Sequence, residues 1–133
     1  MKIESYIFFT DQCAEAMRFY EKALGGKIEA MMKYGDSPAG PHNPPEMADK
    51  VIHARLVVGD AVLMASDGPE AESRKGFAVT LQVDTMAEAD RLFNALSEGG
   101  TVTMPIGETF FSKRFGMLTD RFGVPWMVNC VQQ

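Results

Sequence analysis

The sequence predicts an α+β fold assembled from two copies of a β-α-β-β-β module, and three observations predict it. Residues 14–20 read AEAMRFY, and residues 87–93 read AEADRLF. Each stretch runs on to a Gly-Gly pair, Gly25-Gly26 and Gly99-Gly100, and then to a β-rich segment. Each is also preceded by a short run of β-branched and aromatic residues, YIFF in one copy and FAVTLQV in the other. An echo that shares its terminator and both flanks points to a repeated supersecondary unit.

The elements follow in order. Apolar residues recur at three- and four-residue spacing over Cys13–Leu24 (Ala16, Phe19, Tyr20, Ala23) and Met86–Ser97 (Ala89, Leu92, Phe93, Leu96), the period of an amphipathic helix. Asp11 and Asp84–Thr85 are placed to cap the two helix starts, and the glycines to supply left-handed ends. Three further strands are expected in each half: Lys27–Tyr34, Val51–Val58 and Ala61–Ser66, then Thr101–Met104, Arg114–Thr119 and Trp126–Val131. The last two strands of each half meet in tight turns at Gly59-Asp60 and at Asp120 to Gly123, where glycine can take positive φ. Module one therefore covers about 1–67 and module two about 76–133, joined by the polar DGPEAESRKG within a single domain. The stretch YGDSPAGPHNPPEMADK holds four of the seven prolines; a loop of this kind suits a lid over a site, with His42 in solvent.

Composition excludes several function classes. A chain of 133 residues with 46% hydrophobic and 23% charged residues is an ordinary globule. At that length it buries roughly two-thirds of its unfolded surface without disulfide or metal staples. A net charge of -5 argues against nucleic acid and against an anionic membrane surface. No apolar run approaches the ~20 residues of a membrane span. The start, MKIESYIFFTDQ, has Glu4 and too short an apolar stretch for a signal peptide. Cys13 and Cys130 have no CxxC partner and no adjacent histidine, so they read as buried thiols in a reducing cytoplasm.

Paired βαβββ modules closing into a curved mixed sheet are the architecture of the vicinal oxygen chelate superfamily: glyoxalase I, fosfomycin and bleomycin resistance proteins, and extradiol dioxygenases such as dihydroxybiphenyl dioxygenase. The chain resembles its PhnB-like group, most strongly at YIFF…A…FY…LGG, VIHARL and ETFFSKRFGMLTDRFGVPWMVN. The resemblance covers nearly the whole chain. In the metal-binding members of that superfamily, the ligands sit near the start of each module's first strand and on its last strand. Those slots fall, within about a residue, on Tyr6, Met64, Ala78 and Met127. A divalent ion wants His, Glu, Asp or Gln there, and two thioethers, a phenol and a methyl group would not hold it. The expectation is therefore no metal and no cofactor. A methyltransferase, another label in this group, would need a glycine-rich loop opening a helix, whereas these Gly-Gly pairs end helices.

Strand alternation predicts which side chains face away from the helices. Phe77, Val79, Leu81 and Val83 should lie under the second helix, leaving Ala78, Thr80 and Gln82 on the other face. Ile52, Ala54, Leu56 and Val58 should pack inward, leaving His53, Arg55 and Val57 facing the concavity. Trp126, Val128 and Cys130 read as core, with Met127 and Asn129 opposite; LMAS at 63–66 mirrors WMVN, placing Met64 and Ser66 likewise. With Tyr6 and Phe8 of the first strand, and Glu108 and Phe110 of GETFF, these residues form the expected ligand pocket.

His53 is either a hydrogen-bonded structural histidine or a ligand contact. Glu108 is either an exposed loop carboxylate or its acid–base partner. Phe110 and Phe111 fit a pocket mouth or a dimer interface equally. Ten methionines exceed what composition requires and suit an adaptable apolar site, as they suit gap-filling. Two functions follow from the resemblance and these residues. One is a homodimer that binds a small organic molecule without metal, as bleomycin resistance proteins do. The other is a metal-dependent lyase, isomerase or dioxygenase-type enzyme with a displaced site at His53 and Glu108.

Overall fold

The computed structural model describes residues 1–38, 43–68 and 74–131, in two compact units, Met1–Glu72 and Ser73–Gln133. His42 and half of the linker, residues 69–73, lie outside the described residues. The first unit runs β1 (Ser5–Phe9), α1 (Cys13–Leu24), β2 (Lys27–Lys33), two 3₁₀ turns (Tyr34–Asp36 and Pro45–Met47), β3 (Val51–Val58) and β4 (Ala61–Asp67). The second runs β5 (Val79–Gln82), α2 (Met86–Ser97), β6 (Thr101–Gly107), β7 (Arg114–Thr119) and β8 (Pro125–Cys130).

The two sheets share one topology. Strand order is β1-β4-β3-β2 in the first and β5-β8-β7-β6 in the second. In each, the first strand pairs parallel with the last and the other pairings are antiparallel. The repeated β-α-β-β-β module and the mixed sheet read from the sequence are thus observed. Among the described residues no helix is long and apolar enough to cross a membrane.

Each helix packs its apolar stripe on one face of its own sheet. α1 buries Ala16, Met17, Tyr20, Ala23 and Leu24 on the side where Ile7, Phe9, Ala54, Leu56, Leu63 and Ala65 are buried. α2 buries Ala89, Leu92, Phe93 and Leu96 beside Leu118, Trp126 and Val128. The glycine pairs explain the echo physically. Gly25 ends α1 in the left-handed conformation at φ 73°, and a Cβ on Gly26 would lie 2.5 Å from Val58 Cγ2 and 2.6 Å from the Val57 carbonyl. Gly99 repeats the positive φ at 75°, and a Cβ on Gly100 would overlap the carbonyl oxygen of Thr119. In both units the second glycine lets the helix end press against the turn region between the last two strands.

Three expectations are corrected. Asp11 does not cap α1: the N-cap is Gln12, which makes no side-chain hydrogen bond. Asp67 accepts from the Cys13 backbone N–H instead, at 3.0 Å from the end of β4. Thr85 does cap α2, its Oγ1 accepting from the Glu88 N–H at 3.1 Å. Phe77 is 57% exposed and does not lie under α2, because β5 pairs with β8 only from Val79 and no ladder imposes alternation before it. β6 runs past Met104 to Gly107 through Pro105; its position at the sheet's end, with two register shifts, tolerates a residue without an N–H.

Candidate functional site

The sheet faces opposite the helices carry most of the candidate residues. In the first unit Tyr6 and Phe8 alternate with buried Ile7 and Phe9. Tyr6 pairs with Met64, Met64 with Arg55, and Phe8 with Ser66, so these residues share the open face. His53, two positions from Arg55, joins them. Tyr6 Oη lies 3.3 Å from His53 Nδ1, and the two rings are 5.8 Å apart. In the tautomer with Nδ1 unprotonated, the phenol donates this hydrogen bond. Phe8 packs on Tyr6 at 5.0 Å. Tyr34 Oη donates to the Asp67 carbonyl at 2.8 Å; burial pushes its phenol pKa up, and Asp67 and Tyr6 push it further. Arg55 is held by Glu29 of β2 in an ion pair. An open depression lined by Lys27, Ile28, Glu29 and Val57 includes that glutamate.

The second unit repeats the geometry with different chemistry. Thr80 pairs with Met127, Gln82 with Asn129, Phe115 with Asn129, and Met117 with Met127. Thr80 and Gln82 are exposed and Met127 is half-buried, whereas Asn129 is only 9% exposed. Asn129 Nδ2 donates to Gln82 Oε1 at 2.9 Å, and Asn129 Oδ1 is buried with no partner. A buried acceptor left unsatisfied costs about 1–3 kcal/mol. Phe111 stacks edge-on with Phe115 at 5.1 Å and with Phe110 at 5.0 Å, and Phe110 is 99% exposed.

Glu108 is an exposed loop carboxylate of the second unit. It follows the end of β6, its side chain is 67% exposed, and its charged partner is Lys113 at 3.8 Å. The structure thus gives His53 a partner in Tyr6, a pairing of residues 47 positions apart that strand alternation alone does not reveal. Glu29 and Tyr34 also escaped the sequence reading, for the same reason.

Two buried aspartates were missed as well. Asp67 accepts from the Cys13 N–H and, at 2.9 Å, from the Val51 N–H, tying α1 and β3 to the end of β4. Burial pushes the Cys13 thiol up to about 12, with Asp67 adding to the shift, so Cys13 is no nucleophile. Asp120 accepts from the backbone N–H groups of Phe122 and Val124 and from the Trp126 indole. Its signal was an Asp opening a turn that closes on glycine, the pattern of a side chain bonding its own backbone.

The slots that hold metal in the superfamily the sequence resembles carry no matching donor set here. Tyr6, Met64 and Met127 sit on the open faces, and Ala78 has no donor atom. Among the described residues no three His, Cys, Asp or Glu side chains gather as a metal would require. A phenol and two thioethers do not fit a hard or borderline divalent ion.

A family profile described as the glyoxalase/bleomycin resistance protein/dioxygenase superfamily matches residues 2–128. Protein YjdN of Escherichia coli K12 is 30% identical over all of this chain and 97% of its own length. Protein PA1353 from Pseudomonas aeruginosa, a crystal structure, is 53% identical with a TM-score of 0.91, covering 100% of this chain and 99% of that one. A PhnB protein from Bacillus cereus is 28% identical with a TM-score of 0.78, covering 98% and 99%. The repeated module, its strand order and these matches together place the chain in the glyoxalase/bleomycin resistance protein/dioxygenase superfamily, to which it belongs.

Proposed function

We propose that the protein binds a small organic molecule on the open faces of its sheets, through an apolar surface with a few polar anchors and without a divalent metal. One observation carries this reading: both units present the same two-row arrangement on that face. Rings and thioethers (Tyr6, Phe8 and Met64 in one, Phe115, Met117 and Met127 in the other) are interleaved with His53, Arg55, Thr80, Gln82 and Asn129. Pockets that hold organic ligands combine apolar walls with a small number of fixed polar groups. Thioethers adapt to varied apolar shapes. A cytoplasmic homodimer is part of the same reading, supported by two buried thiols that form no disulfide and by exposed Phe8, Phe77 and Phe110.

The test is a titration of the full chain with neutral aromatic and aliphatic fragments, followed by methionine-methyl NMR. Saturable shifts at Met64 and Met127 are expected. Shifts confined to methyls on the helix-packed side, such as Met17, would overturn the reading.

A second reading, an enzyme, is favoured by the Tyr6–His53 contact. The phenol and imidazole are within reach of a shared proton, as acid–base chemistry requires. In that reading Tyr6 takes the role that the sequence offered to Glu108.

A further inference from the structure

Among the described residues, Asn129 Oδ1 is the buried side-chain polar atom that lacks a partner. Its amide group sits on the open face of the second unit, between Gln82 on β5 and Phe115 on β7. The bond from Asn129 Nδ2 to Gln82 Oε1 uses one group of each amide. What remains, on two amides joined by that bond, is an acceptor, Asn129 Oδ1, and a donor, Gln82 Nε2, which has no hydrogen-bond partner among the described residues. Turning both amides over exchanges the two roles and again leaves one donor and one acceptor. Arg114 of β7 pairs with Asp90 of α2 at 3.3 Å, on the helix side of the sheet, and the anchor's own groups are uncharged amides, which suit a neutral ligand. Phe115 pairs with Asn129 across the strands and Phe111 stacks on Phe115, and flat ligands pack on such rings.

We infer that the Gln82–Asn129 amide pair, walled by Phe115 and Phe111, recognises a neutral planar ring bearing an N–H next to a carbonyl, a lactam or cyclic-amide edge. This rests on the open-face binding proposed above and names the chemical class it takes. A lactam supplies one donor and one acceptor side by side, the complement of what the two amides leave open. Because Oδ1 is closed to solvent, the ligand displaces a covering side chain to reach it.

The probe is 2-pyridone, with N-methyl-2-pyridone as the control that stacks equally but has no N–H. The readout is the side-chain amide resonances of Asn129 and Gln82 in the full chain. Saturable shifts with a Kd in about the millimolar range are expected, as for any ligand of few heavy atoms. The control should bind at least about tenfold more weakly. Asn129→Leu should abolish the 2-pyridone response while leaving Tm unchanged or raised, since it removes an unpartnered buried oxygen. Gln82→Ala, at an exposed position, should weaken the response and serves if Asn129→Leu does not fold. Equal shifts from both probes that spare the two amides would overturn the anchor and leave open-face binding standing. So would an Asn129→Leu variant that binds like the parent. If 2-pyridone leaves the amides unmoved while the fragment titration still shifts Met64 and Met127, the anchor alone falls. If nothing moves any open-face resonance, both readings fall.

Discussion

Asp120 accepts hydrogen bonds from the Phe122 and Val124 N–H groups at 2.8 and 3.0 Å and from the Trp126 indole at 2.8 Å. Removing the buried carboxylate takes the acceptor of these hydrogen bonds away. Asp120→Ala should therefore lower stability by about 3 kcal/mol or more. Urea unfolding followed by fluorescence of Trp126, the only tryptophan, measures it, and a loss under about 1 kcal/mol would contradict this account of the turn. Cys13 gives a pH dependence. Its thiol rises from 9.0 to about 12 on folding, through burial first and Asp67 second. A raised folded value means the contribution is complete below pH 9 and is lost as pH climbs towards 12. Cys13→Ala should then soften the alkaline loss of stability. At pH 8 native protein should react with Ellman's reagent far more slowly than unfolded protein, and equal rates would refute the burial. Alternation found the faces of His53, Arg55, Met127 and Asn129 because a strand's period is local. It could not find the Tyr6, Glu29 and Asp67 contacts, which bring together residues far apart in sequence.

Both helices were legible to their end residues, since a 3.6-residue apolar stripe and a terminating glycine pair are written in consecutive sequence. The cap of α1 was not, because Asp67, 54 residues away, does the work that Asp11 was expected to do. The glycine pairs make a comparative prediction. Gly25 has positive φ but no atom within 4 Å of an added Cβ, so Gly25→Ala should cost about 1–2 kcal/mol from backbone conformation alone. Gly26 has the Val57 carbonyl 2.6 Å from that position, so Gly26→Ala must move backbone and should cost more than Gly25→Ala. Thermal unfolding of both variants decides it, and the reverse order would show that the helix end does not press on the β3–β4 hairpin.

The family was legible from the doubled module, whereas the ligand was not, because the family's fold carries many chemistries on the same frame. Each sheet has four short strands, with β1 and β2 or β5 and β6 at its ends. Together with exposed Phe8 and Phe110, this surface suits a second copy. Light scattering at micromolar concentration should give about twice the 14.7 kDa chain mass, and a clean monomer would refute the dimer. Binding without metal is the proposal on which the functional reading turns. Losing even a supporting partner of a metal ligand typically weakens affinity about 10- to 100-fold, and here the slots offer a phenol, two thioethers and a methyl group. Elemental analysis of tag-free, dialysed protein should find well under one equivalent of Zn, Mn, Fe, Co or Ni per chain. Stoichiometric metal that survives dialysis and disappears in His53→Ala would contradict it, and would turn the protein into an enzyme with a displaced centre.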